Sequence, residues 1–117
     1  MKKIIALLFI FSINIGVAFA DNTGYEQKQV IDNNRVRVVV ATWKPGAESP
    51  STAKTMDRVV KVVKGGTVER HFEDGSKKVV IFKTGDLVYQ DSPEDKMAYS
   101  IKSTSKTTVI LTAIFLK

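Results

Sequence analysis

Nowhere does this chain repeat its apolar residues at helical spacing; beyond its first twenty residues it runs as short β-branched stretches cut by glycine, proline and Asp-Gly. Such a chain has to pair strands, because its side chains alternate between two faces instead of lining one side of a helix. Arg35 to Trp43 is β-branched and half alternating. Lys44-Pro45-Gly46 ends it, since proline cannot donate into a ladder and glycine permits the turn. Arg58 to Val63 is the next strand, and Lys64-Gly65-Gly66 turns it into Thr67 to Phe72. Asp74-Gly75 predicts a tight type I′ hairpin whose return strand is Lys77 to Phe82. Lys83 to Asp86 turns into Leu87 to Gln90, Asp91 to Lys96 is a polar loop, and Met97 to Lys102 and Thr107 to Leu116 close the chain. Strands at this spacing predict a sandwich or a small barrel. Pattern alone leaves a jelly roll, an immunoglobulin-like sandwich and an oligonucleotide-binding barrel open.

Met1 to Ala20 reads as a signal peptide, residues 1–20. Lys2 and Lys3 supply its positive start, Ile4 to Phe11 its apolar core, and Ala18-Phe19-Ala20 its cleavage site. A membrane-spanning helix is disfavoured because Ser12, Asn14 and Gly16 break the apolar run, and spanning takes about 20 apolar residues. The export signal points to the periplasm, or to the exterior. Cleavage after Ala20 leaves 97 of 117 residues, one compact domain. Residues 21–34 form a leader and first strand, with Asp21 to Gly24 frayed, and 35–117 the barrel domain. Without cysteine there is no disulfide and no thiolate metal site, so the fold rests on one apolar core.

The formal charge of +6 falls to +4 once Lys2 and Lys3 leave, and the remaining basic residues are scattered. Nucleic-acid binding asks for a clustered basic stripe with interleaved aromatics. A mildly basic soluble surface is the better reading, with no nucleic acid and no membrane among the partners. The last strand, Thr107 to Leu116, is apolar at almost every position and must be covered on both sides. One face looks into the barrel. The other meets either a second subunit, giving a homodimer, or the amino-terminal segment of the same chain.

Val36 to Leu116 resembles a small single-domain cupin, a double-stranded β-helix or jelly-roll barrel. The stretches that carry the likeness are Thr42-Trp43-Lys44-Pro45-Gly46, Asp57-Arg58-Val59-Val60, Phe82-Lys83-Thr84-Gly85-Asp86 and Tyr99 to Ser103. Gly46-x5-Thr52-x-Lys54-x3-Arg58-x6-Gly65 has the spacing of the first cupin motif, which runs glycine, His-x-His, glutamate, glycine. In the second motif Lys83 stands where proline would be, Gly85 matches, Tyr99 aligns with the histidine and Ser103 with the asparagine. Metal-bearing cupins converge three histidines and a glutamate on one divalent ion. This chain has none of the four at the matching positions. Thr52 is a weak neutral donor, Lys54 a cation, and Arg58 stays protonated in proteins. The residues thus imply no metal and no cofactor.

The resemblance further implies that residues 52, 54 and 58 point into the barrel mouth. Two like charges at about 6 Å in an effective dielectric near 20 repel by roughly 3 kcal/mol. Something must offset this. Either Glu48, Asp57 or Asp86 pairs with one cation internally, or Lys54 and Arg58 hold an anionic ligand with Tyr99 and Thr52 as hydrogen-bond donors. Arginine suits bidentate capture of a carboxylate or phosphate. Trp43 and Tyr89 are expected at the rim or in the pocket, and Phe82 in the core. The sole histidine, His71, is expected to face solvent near the hairpin tip. No Ser-His-Asp, paired-carboxylate or phosphate-loop arrangement is present.

A binding module for a small anionic metabolite (carboxylate, phosphate or sugar acid) is therefore the leading expectation. Its candidate ligand residues are Thr52, Lys54, Arg58, Tyr99, Trp43 and Tyr89, with no catalytic residue. The rivals are a metal-independent isomerase or epimerase of the cupin class, and an inert barrel working through a protein–protein interface.

Overall fold

A computed structural model of the protein describes residues 24–92 and 97–117. The signal peptide and its cleavage point therefore lie outside the described residues, as do part of the leader and the Pro93 to Lys96 stretch of the polar loop. Eight strands follow one another: β1 (Tyr25–Asp32), β2 (Val36–Trp43), β3 (Arg58–Lys64), β4 (Gly66–Phe72), β5 (Lys77–Phe82), β6 (Leu87–Gln90), β7 (Tyr99–Ser103) and β8 (Val109–Leu116). They form a five-stranded antiparallel sheet, β1-β2-β8-β3-β6, facing a three-stranded one, β5-β4-β7.

The segment after β2 widens the small sheet. Ser103 N donates to Ala47 O at 2.8 Å, Ser49 N to Ile101 O at 2.9 Å, and Thr52 N to Tyr99 O at 3.1 Å. Gly46, at φ 80, makes the sharp exit from β2 that lets the chain swing onto β7. Gly65 serves a different need, since a Cβ there would collide with the backbone of Phe82.

Pairing register assigns every side chain to a face. In the large sheet Trp43 pairs with Val109, Ala41 with Leu111, Val39 with Ala113 and Arg37 with Phe115, and β3 adds Val62, Val60 and Arg58 to the last three rows. These residues face inward. At the closed end Tyr25, Trp43, Val62, Val68, Phe82 and Val109 are all under a tenth exposed and form the core. The Tyr25 and Trp43 rings meet in a tilted contact with centroids 5.1 Å apart, and burial pushes the Tyr25 hydroxyl up to about 12. Each fully buried large apolar side chain contributes about 1.5–3 kcal/mol, so this end holds the fold together.

Four expectations change. Gly24 does not fray: its carbonyl accepts Lys44 N–H at 3.1 Å, and Tyr25 begins a strand paired to β2. The β4–β5 hairpin exists, but its loop has three residues. Gly75 N donates to Phe72 O and Phe72 N to Ser76 O, while Asp74 Oδ1 accepts from Ser76 N at 2.9 Å. Aspartate thus serves as a side-chain acceptor within the turn, a role the Asp-Gly pair alone does not reveal. The described part of the amino-terminal segment does not overlay β8; β1 lies at the sheet edge, paired to β2. Finally, His71 is not fully solvent-facing. It does lie on the outer face of the small sheet, but it is wedged between Glu69 Oε1 (2.9 Å from Nε2) and Glu48 Oε2 (3.4 Å from Nδ1), with its side chain only 25% exposed.

Candidate functional site

Above the apolar core the barrel opens into a cavity of about 1030 Å³. Trp43, Phe82, Val60 and Leu111 line it below. Thr52, Lys54, Arg70 and Tyr99 form one wall towards the mouth, with Arg37, Phe115, Arg58 and Gln90 of the large sheet across from them. Five of the six residues expected from the sequence are therefore gathered here: Thr52, Lys54, Arg58, Tyr99 and Trp43. Trp43 belongs to the lower wall instead of the rim; it is 3% exposed and its indole N–H donates to Ile101 O at 3.1 Å.

Tyr89 is not part of the site. It pairs with Val59 on the outer face of the large sheet, is 56% exposed, and donates its hydroxyl to Asp57 Oδ2 at 2.9 Å. Strand parity decides this. Arg58 points inward at the start of β3, so Val59 and its partner Tyr89 point out.

The wall is built around the Tyr99 ring, which is 2% exposed. Lys54 Nζ stands 4.0 Å from its centroid and Arg70 Cζ 5.0 Å, both within cation–π range. Arg58 donates from Nη2 to the Tyr99 hydroxyl at 3.0 Å and from Nη1 to Met56 O at 3.2 Å. All three hydrogens of Lys54 are engaged, by Thr52 O (2.9 Å), Thr52 Oγ1 (2.7 Å) and Tyr99 O (3.2 Å). The lysine is therefore a fixed charge. Arg58 spends two of its five N–H groups on protein acceptors, which leaves the others for a ligand. The Tyr99 hydroxyl accepts from Arg58 and keeps its own proton to donate.

Among the described residues no carboxylate pairs with these cations. The ion pairs among the described residues are His71 with Glu48 and Glu69, and Lys117 with Asp32. Glu48 lines the cavity, but its carboxylate is held by Ser100 Oγ at 2.5 Å and lies beside His71. Asp57 is occupied by Ser92 N (2.8 Å) and the Tyr89 hydroxyl, which together hold it below the usual carboxylate range. It reaches Arg58 only as a distant attraction.

The unpaired cations strain one another. Burial first, then Arg58 and Arg70, pull Lys54 down to about 8. Burial is also the main force lowering Arg58, with Arg70 adding to it and Tyr99 opposing. An anion placed among the three would relieve both effects.

Lys54, Arg58, Thr52 and Tyr99 bring an ammonium, a guanidinium and two hydroxyls to the mouth, a donor set that does not fit a divalent cation. No cluster of histidine, cysteine, aspartate and glutamate able to hold a metal occurs among the described residues. Sequence reasoning missed Arg70 and Arg37. Parity carries the signal: Val68-x-Arg70-x-Phe72 and Arg37-x-Val39-x-Ala41-x-Trp43 share their inward faces, which places both arginines with the core-facing apolar residues.

No protein-family model matches this chain, and no curated protein does. Solved structures do. A cupin domain from Bordetella pertussis is 22% identical, with 80% of this chain and 94% of that one covered at a TM-score of 0.70. A double-stranded β-helix domain from Klebsiella pneumoniae is also 22% identical, covering 81% and 74% at 0.60. A cupin from Shewanella frigidimarina gives 22%, 80% and 77% at 0.54. At such identities the likeness speaks for the fold alone. The chain has the cupin fold, a double-stranded β-helix, and its mouth carries a cationic cluster around a buried tyrosine.

Proposed function

We propose that this protein is an exported, metal-free cupin-fold binding module that holds a small organic anion in its barrel mouth. One observation carries the reading: Lys54, Arg58 and Arg70 surround Tyr99 with no carboxylate partner among the described residues. Natural cores rarely leave several cations unpaired, because desolvation and mutual repulsion both destabilise the folded state. A carboxylate accepted by the free N–H groups of Arg58 and Arg70, with the Tyr99 hydroxyl as a further donor and Lys54 as a fixed countercharge, offsets both. The apolar lower wall then covers the body of the ligand.

Titration calorimetry with monocarboxylates tests this. Binding is expected in the wild type and is lost by at least about tenfold in Arg58→Met, the ordinary worth of one charge-assisted contact. Equal binding by both proteins would reject the site.

A companion proposal concerns assembly. The outer face of the large sheet carries Val38, Val40, Val59 and Ile114 beside the exposed Leu87 (68%) and Tyr89 (56%). A second copy of the chain would cover this face, giving a homodimer. Mass measurement on protein recovered from the periplasm of an expressing cell addresses export and assembly together. The denatured mass is expected to correspond to a chain starting at Asp21, and the native mass to twice that. An uncleaved chain or a monomeric native mass would count against the respective half.

A further inference from the structure

The barrel mouth holds another cation that the cluster around Tyr99 does not use. Arg37 lies in the row Arg37–Phe115–Arg58–Gln90, so two inward arginines flank Phe115 across three adjacent strands. With strands about 4.8 Å apart, their Cα atoms are separated by about 10 Å. The Arg37 guanidinium carbon sits 5.1 Å from the Phe115 ring centroid, and the side chain lines the cavity. Its Nε is buried with no hydrogen-bond partner. Asp32, directly across from it on β1, is bonded to Lys117 instead. Between the two arginines the wall is apolar: Phe115 itself, with Ala113 and Val39 in the next row. An unpaired buried donor destabilises unless an acceptor reaches it.

Building on the anion-binding reading, we infer that the ligand is a dianion, an organic acid whose two carboxylates are separated by an apolar spacer. One carboxylate lies on Arg58 and Arg70, the other on Arg37, and the spacer crosses the Phe115 ring. Inorganic phosphate and short diacids such as malonate cannot reach both ends.

Calorimetry with a series of linear dicarboxylates from malonate to azelate, each paired with the monocarboxylate of equal chain length, tests the inference. A dicarboxylate of matching length is expected to bind about tenfold or more tighter than its monocarboxylate, the ordinary worth of a charge-assisted hydrogen bond. Malonate is expected to show no such advantage. Arg37→Met should bring the ratio to about one, and Arg37→Lys, which keeps the charge without the fork, should retain part of it. Lys77→Met removes the same charge from the outer face and should leave the ratio unchanged. A ratio that survives in Arg37→Met, or falls equally in Lys77→Met, overturns the inference as a general charge effect. Monocarboxylate binding that needs Arg58 but gains nothing from a second carboxylate overturns it while sparing the parent reading. If no organic anion binds at all, both fall.

Discussion

The two ends of the barrel obey opposite rules. At the closed end, Tyr25, Trp43, Val62 and Val109 pack together, Tyr25 donating its hydroxyl to Gln27 Oε1 and Trp43 its N–H to Ile101 O. At the mouth, β2, β3, β4 and the segment after β2 present Arg37, Arg58, Arg70 and Lys54, with no carboxylate among the described residues paired to them. One end is built for stability alone. The other carries cations that desolvation and mutual repulsion penalise, the contrast on which the proposed anion site rests.

The comparison breaks most visibly at the closed end. Trp43→Ala is expected to cost about 3–5 kcal/mol, the range for losing a buried large aromatic, measured by chemical denaturation. A loss below about 1 kcal/mol would mean that the closed end is not the stabilising half. At the mouth the sign should differ. Arg58→Met is expected to leave stability within about 1 kcal/mol of wild type or raise it, since an apolar side chain of similar size often replaces a buried charge without loss. A drop beyond about 2 kcal/mol would make Arg58 a structural strut and erase the contrast.

The smallest effect is a pH dependence that sharpens the contrast. Lys54 is lowered to about 8 in the folded state from an ordinary value of 10.5. Between those values the unfolded chain binds more protons than the folded one, so stability should rise with pH across this window. Anion affinity should fall over the same window as Lys54 loses its charge. Melting temperature against pH, compared with Lys54→Met, reads this directly; the variant should lack the rise. An identical rise in both proteins would assign the effect to other groups.

Much of this was legible in the order of residues. Alternation and turn chemistry marked every strand from β2 to β8 to within a few residues, since each depends on neighbours in sequence. The Gly46 to Gly65 spacing pointed to Thr52, Lys54 and Arg58, and all three line the cavity. Tyr89 was misplaced because the face it occupies follows from pairing register, which belongs to two strands at once. His71 faces outward as expected, and its partial cover by Glu69 and Glu48 arises only in the folded chain. Arg37 and Arg70 were overlooked by the reverse error, as arginine in a β-run looks like an outward residue until its apolar neighbours at two-residue spacing are shown to face the core.

The sequence by itself determined that this chain makes strands, where it turns, that it has no cysteine to staple it, and that Thr52, Lys54, Arg58 and Tyr99 stand where the resemblance would put metal ligands. These are local matters of backbone preference and side-chain identity. Tertiary structure alone decided that four cations share one mouth, that Glu48 and Asp57 are engaged elsewhere, and that Arg37 faces Arg58 across Phe115. Charges interact through space, and only the closure of two sheets brings residues from β2, β3, β4 and the segment after β2 within range of one another.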